Sequence, residues 1–214
     1  VVTLFSVTRQ LTAAGGEYRF RLILDAATEL LAEGGYSALS IRALAARAGI
    51  SQGLLYYYFT DKHAVFAALM RDHQAALVDI LDNLPRTEGV RALLHAIVPP
   101  TRLQWLRVGR IVGVWRAERP GISADAQEQQ IAAARKQFEA LERALRECAE
   151  AEGRRLRPEP EIVPFVWSAL MGIADLHAQG WVTTIDDDRL TDITITAVVD
   201  HILEPEQGVI DADS

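Results

Sequence analysis

Three consecutive tyrosines, Tyr56, Tyr57 and Tyr58, with Lys62 one turn further on, are the residues here best suited to contact with a polyanion. A tyrosine offers an apolar ring to a thymine methyl and a hydroxyl to a phosphate, and a lysine adds a point charge. Successive helical positions diverge by about 100°, so three adjacent rings cannot all enter one small core. Upstream, Ser40 and Ser51 each stand where a helix would begin, and a helix N-terminus with free N–H groups favours phosphate. A second concentration of chemistry lies downstream. Trp105, Trp115, Trp167 and Trp181 fall in the C-terminal two thirds, with Arg102, Gln104, Arg110, Arg116, Asp175 and His177 beside them in sequence or at helical spacing. Apolar walls with a few polar anchors are the usual makeup of a ligand pocket, and they are equally the makeup of a filled core.

Other chemistries find little support. Cys148 is the only cysteine and lies in a charged stretch, with nothing marking it as a nucleophile or redox sensor. The five histidines show no HExxH or comparable ligand spacing, and His63 and His73 are expected to face solvent. Asp186-Asp187-Asp188 reads as a helix start that complements the dipole, and no metal is expected there. P-loop, GxGxxG and GxSxG motifs are absent, so no cofactor and no enzyme activity are expected.

The positioning elements are helices. The chain has 214 residues, half of them apolar, with 22 Lys+Arg against 29 Asp+Glu and a formal net charge of −7. The charge is uneven: residues 1–73 carry seven basic and six acidic residues, and residues 74–214 carry 15 and 23. A near-neutral head on an acidic body is compatible with phosphate contact, which depends on local charge. No apolar run reaches the roughly 18 to 20 residues of a membrane span, and no secretory signal pattern is present, so a cytoplasmic location is expected.

Residues 1–16 show no clear period and are expected to form a flexible arm. From Glu17 to Glu33 apolar residues recur at Phe20, Ile23, Leu24, Ala27, Leu30 and Leu31, an amphipathic helix stopped by Gly34-Gly35. Ser40 caps a short second helix that ends at Gly49; Ser51 caps a third to about Tyr58; Thr60 is placed to cap a fourth, ending near Leu84 before Pro85. Further helices are expected near 88–98, 101–118, 123–152, 160–180 and 187–203, with Pro99-Pro100 breaking the first pair. A strand is doubtful even at Trp181–Ile185. The fold expected is all-α, about nine helices: a three-helix head over 17–62, a larger helical domain over 63–203 and an acidic tail over 204–214.

The stretch Ser40-Ile-Arg-Ala-Leu-Ala-Ala-Arg-Ala-Gly-Ile-Ser, followed by Gly53-Leu-Leu-Tyr-Tyr-Tyr-Phe-Thr-Asp-Lys62, is a helix-turn-helix by its caps, turn glycine and small crossing residue Ala45. It resembles the N-terminal domain of TetR-family transcriptional regulators over roughly residues 17–70. Tyr58 stands where that family often has His. The resemblance implies Gln52, Gly53, Leu54 and Tyr56 as base-side residues, and Ser40, Arg42, Ser51, Tyr57, Tyr58 and Lys62 as backbone-positioning ones. It implies double-stranded operator DNA as partner, a homodimer through the helices near 160–180 and 187–203, and a small-molecule effector. The apolar stripe Ile193, Ile195, Ala197, Val198, Ile202 and Leu203 supports such a dimer face. Candidate effector residues are His95, Arg102, Trp105, Arg110, Trp115, Phe138, Trp167, Met171 and Asp175, with His95, Arg102 and Arg110 able to converge on one anionic group. The function expected is a ligand-responsive repressor released from a palindromic operator by a largely apolar effector. The alternatives are an activator, a regulator controlled by a protein partner and, more remotely, a small helical enzyme or carrier.

Overall fold

The computed structural model describes residues 4–108, 114, 117–179 and 186–205, with side chains described for 15–103, 114, 117–176 and 186–205. Eight α-helices are present among them: α1 (Leu4–Ala38), α2 (Ile41–Ala48), α3 (Gln52–Tyr58), α4 (Lys62–Asn83), α5 (Gly89–Val108), α6 (Ala124–Ala151), α7 (Ile162–Gln179) and α8 (Asp187–Ile202), with a 3-10 turn at Arg119–Gly121. The described residues hold no strand beyond one antiparallel bridge, Leu156 to Leu203. None of the described helices is long and apolar enough to cross a membrane.

Three elements differ from expectation. Residues 4–16, read as an arm, are helical and continuous with the rest of α1. Glycine lowers helix stability by about 1 kcal/mol relative to alanine, and Gly15-Gly16 therefore weaken the helix without ending it. The actual interruption is at Gly35, whose φ of 64° and ψ of −163° lie outside the helical region. The expected break at Pro99-Pro100 is absent, and α5 runs through both. Proline's fixed φ suits a helix; its cost is the missing N–H and the crowding of the preceding turn. Here Val90, Leu93, Leu94, Ile97, Val98 and Thr101 keep one buried stripe across the prolines, and the Thr101 hydroxyl donates to the Ile97 carbonyl at 2.7 Å. Packing thereby outweighs the local break signal. The fourth helix is capped by Asp61 rather than Thr60: its Oδ1 accepts from the Ala64 N–H at 2.8 Å.

The chain divides into two compact units. The first comprises residues 1–73 and 106–132, the second residues 74–105 and 133–214. In the first, Leu24 and Leu31 of α1, Leu44 of α2, Leu55 of α3 and Phe66 of α4 share one core, closed by Ile122. The head therefore extends past residue 62, because three short helices leave their apolar faces open until Val65–Leu69 cover them. Gly49 ends α2 in the left-handed region (φ 67°, ψ 31°), donating its N–H to the carbonyls of Ala45 and Ala46. Gly49→Ala is expected to destabilise the head by about 1–2 kcal/mol, read as a lower denaturation midpoint.

In the second unit, Leu94 and Ile97 of α5, Leu141 and Leu145 of α6, Val166 and Leu170 of α7 and Ile195, Val198 and Ile202 of α8 form the core. Cys148 is buried in it, and burial pushes its thiol up, away from the reactive thiolate. Asp186 caps α8 by accepting from the N–H groups of Asp188 and Arg189, with Asp187 and Asp188 in the first turn. No group of three or more potential metal ligands occurs among the described residues. The stripe on α8 is corrected in part. Ile195, Val198, Ile202 and Leu203 are consumed by the chain's own core, and Ile193 and Ala197 remain exposed.

Candidate nucleic-acid interface

The interface is built from two side-chain caps and one anchor. Ser40 Oγ accepts from the Ala43 N–H at 3.2 Å, and Ser51 Oγ accepts from the Leu54 N–H at 3.1 Å. These fix the starts of α2 and α3 and leave other N–H groups of each first turn open to solvent. Between them Ala45, 3% exposed, allows the close helix crossing, and Ile50 is half-buried against the same core. On α3, Leu55 is the one fully buried residue. Phe59, immediately after the helix, stacks on Phe20 of α1 with ring centroids 5.4 Å apart.

Anchoring through Leu55 decides what α3 presents outward. Gln52, Gly53, Tyr56 and Tyr57 are exposed, and Leu54 and Tyr58 are half-buried. Tyr56 is 56% exposed and Tyr57 81%, so two large rings stand in water on a seven-residue helix. Tyr58 is held differently: it packs against the head core and meets Tyr57 edge-on at 5.3 Å. A Cβ on Gly16 would lie 3.8 Å from the Tyr58 hydroxyl.

The basic residues also separate by environment. Arg47 is held by Glu33 and Glu29 of α1, at 2.7 and 3.0 Å. The hydrogen bond from Arg47 holds the Glu33 carboxyl below its ordinary range. Arg42, exposed on the same helix, makes no ion pair among the described residues. Lys62 is half-buried, its Nζ 4.3 Å from the centroid of the Tyr36 ring, a cation–π contact that orients the ammonium.

Sequence reasoning missed several members of this neighbourhood. Tyr36 was not singled out; burial chiefly, with the carboxylates of Glu118 and Asp61, pushes its phenol up, so the ring stays neutral beneath Lys62. His63, expected in solvent, is half-buried between Glu118 (Nε2 to Oε2, 3.3 Å) and Asp61 (Nδ1 to Oδ1, 3.7 Å). His73 is also withdrawn from solvent: burial lowers its basicity, and its Nε2 has no hydrogen-bond partner among the described residues. Arg71 Nη1 and Gln130 Oε1 are buried in the same condition. Nothing in their own sequence neighbourhoods marks these groups, because their burial comes from other helices.

The candidate effector residues are less gathered. In the second unit, Phe138 and Trp167 meet edge-on at 6.1 Å, and both pack with Met171 against its core. Asp175 is half-buried on α7. His95 faces Asp192 at 3.3 Å, and Arg102 is exposed. The Trp105 and His177 side chains, Arg110, Trp115 and the Trp181–Ile185 stretch lie outside the described residues. The convergence of His95, Arg102 and Arg110 therefore has no structural support among the described residues, where His95 already has an acidic neighbour.

Comparisons with known proteins agree with this head. Residues 23–69 match the model of bacterial regulatory proteins, tetR family. The HTH-type transcriptional repressor AcnR of Corynebacterium glutamicum is 31% identical over 86 residues, 40% of this chain and 44% of that protein. The chain thus spans less than half the length of the curated relatives it matches. A putative TetR-family regulator from Vibrio parahaemolyticus superposes with a TM-score of 0.62 at 23% identity, over 87% of this chain and 100% of that one. FadR from Bacillus subtilis, solved with stearoyl-CoA, gives 0.59 at 17% identity over 86% and 99%. At these identities the structural likeness speaks for the fold, and the sequence match speaks for the head. Over residues 23–69, the head of this chain is similar to the bacterial regulatory proteins of the tetR family.

Proposed function

We propose that this protein is a dimeric, effector-responsive repressor that reads a palindromic operator through α3. The observation that carries the reading is the division of α3 into a buried anchor, Leu55, and an outward face bearing Gln52, Gly53, Tyr56 and Tyr57. A helix of this length enters the major groove by its N-terminal end. Gly53 helps there: an added Cβ would meet nothing nearer than Ser51 Oγ at 4.0 Å, so the position is open to a base edge. Ser40, Arg42, Ser51, Tyr57, Tyr58 and Lys62 then serve the phosphates.

Exposed Phe165 on α7 and Ile193 on α8 support dimerisation through those helices. Exposed Ser168 and Gly172 continue the α7 face at helical spacing, and small residues permit close approach of a second copy. Phe138, Trp167 and Met171 support an apolar effector wall, and the stearoyl-CoA bound to the FadR relative supports a ligand with a long apolar part. Induction would follow from mutual exclusion: the effector favours a head spacing unsuited to successive grooves, and operator and effector weaken each other by the same factor.

The test is selection of DNA from a random pool at near-physiological salt. Enrichment of a pseudo-palindrome with half-sites about one helical turn apart supports the reading; absence of enrichment from ligand-free protein overturns it. With the selected operator in hand, Lys62→Ala should weaken binding to all sequences and reduce the slope of log affinity against log salt by about one. An unchanged slope would remove Lys62 from the phosphate contacts.

A further inference from the structure

Three parts of the first unit, distant in sequence, meet at His63. The α4 start supplies Asp61, Lys62 and His63; the turn after Gly35 supplies Tyr36; the 3-10 turn and its lead supply Glu118 and Gly121. His63 Nε2 lies 3.3 Å from Glu118 Oε2, 55 residues away, and the Tyr36 and His63 ring centroids are 6.1 Å apart. A Cβ on Gly121 would sit 2.7 Å from His63 Nε2, so this ring position requires glycine there. Lys62 Nζ rests over the other participant, the Tyr36 ring. Among the described residues, the charged and titratable groups against His63 are thus Asp61, Glu118 and Tyr36 of α1, with Lys62 over the Tyr36 ring.

We propose that Glu118 and His63 are a positioning pair for DNA binding: their contact sets the first turn of α4, and with it the place of Lys62 at the phosphate backbone. Only Phe59, Thr60 and Asp61 separate α3 from Lys62, so a shift of the α4 start moves a phosphate contact relative to the reading helix. Residues 117–121 lie far from the helix-turn-helix in sequence. Their contact with His63 ties them to the start of α4 directly, beside the packing of Ile122 in the head core. The inference rests on the DNA-binding reading above and adds two residues that the motif does not contain.

Glu118→Gln keeps size and hydrogen-bonding capacity and removes the charge. Gly121→Ala removes no polar group and displaces the His63 ring. Both are expected to weaken operator binding about three- to fivefold, the upper part of the range for a partly exposed polar contact, with the denaturation midpoint unmoved. Both should reduce the salt slope by up to one charge. The decisive readout is a double-mutant cycle: Glu118→Gln combined with Lys62→Ala should lose no more affinity than Lys62→Ala alone, because both act through one ammonium. Wild-type affinity in Glu118→Gln, or a loss that adds fully to that of Lys62→Ala, overturns the proposal and leaves the DNA-binding reading standing. Failure of the wild-type protein to select any operator takes both away.

Discussion

Leu55→Ala is expected to cost about 2–5 kcal/mol, the range for emptying a fully buried leucine site. Leu55 has no exposed surface and is the one fully buried residue of α3, which otherwise meets the core through the half-buried Tyr58. An isolated helix of seven residues is far below the length at which helix formation is favourable in water. Its helical state therefore depends on this side chain, on Phe59 behind it and on the Ser51 cap. The consequence should be graded. Denaturant titration should show a midpoint lowered in proportion to that cost, with operator binding lost under conditions where α4 and the rest of the head remain folded. Hydrogen exchange should place the largest loss of protection in residues 52–58. A variant with wild-type midpoint and wild-type affinity would mean that α3 is held by something other than Leu55.

Tyr56→Ala should have the opposite profile. The side chain is more than half exposed and outside the head core, so stability should change by no more than about 0.5 kcal/mol. Specific operator affinity should fall by about 1–3 kcal/mol, and affinity for unrelated duplex should stay close to wild type. The comparison separates two roles that one ring can play. A thymine-methyl contact is lost on the operator alone, whereas a hydroxyl-to-phosphate contact is lost on every sequence. Equal losses on both DNAs would move Tyr56 from the base-side set to the backbone set. Together with Leu55→Ala, this variant tests adjacent positions on α3, one turned inward and one outward.

The head was legible because its signals are local. Ser40, Ser51 and Gly49 do their work within four residues of themselves, and the apolar spacing of α1 reports a face without reference to any other element. Pro99-Pro100 misled because the break signal is also local, whereas the force that carries α5 through it comes from partners on other helices. The α8 stripe misled in a related way: periodicity marks residues that leave water, and it does not say whether the neighbour is the same chain or another. Tyr36, His63 and Glu118 were invisible for a third reason. Each is an ordinary polar residue in its own neighbourhood, and a contact across 55 residues has no signature in any window. The effector candidates suffer the same defect, since aromatic and charged residues on several helices have to be gathered before they define a chamber.

The helix starts hold a further consequence. Asp61 and Asp186 cap α4 and α8, while α2 and α3 begin with Ser40 and Ser51. As caps the two residue types are nearly interchangeable, since both satisfy a backbone N–H through a side-chain oxygen. They differ in what is left over. A capping serine has spent a lone pair and still owns a hydroxyl proton to give to a phosphate oxygen; a capping carboxylate has only further lone pairs and a negative charge. Of two caps of equal worth to the helix, the serine can itself donate to a polyanion, whereas the carboxylate leaves that to a neighbouring cation, as Asp61 does beside Lys62. If the head reads DNA as proposed, serine at the two starts of the helix-turn-helix suits the surroundings those starts would meet, in residues whose first duty is to the fold.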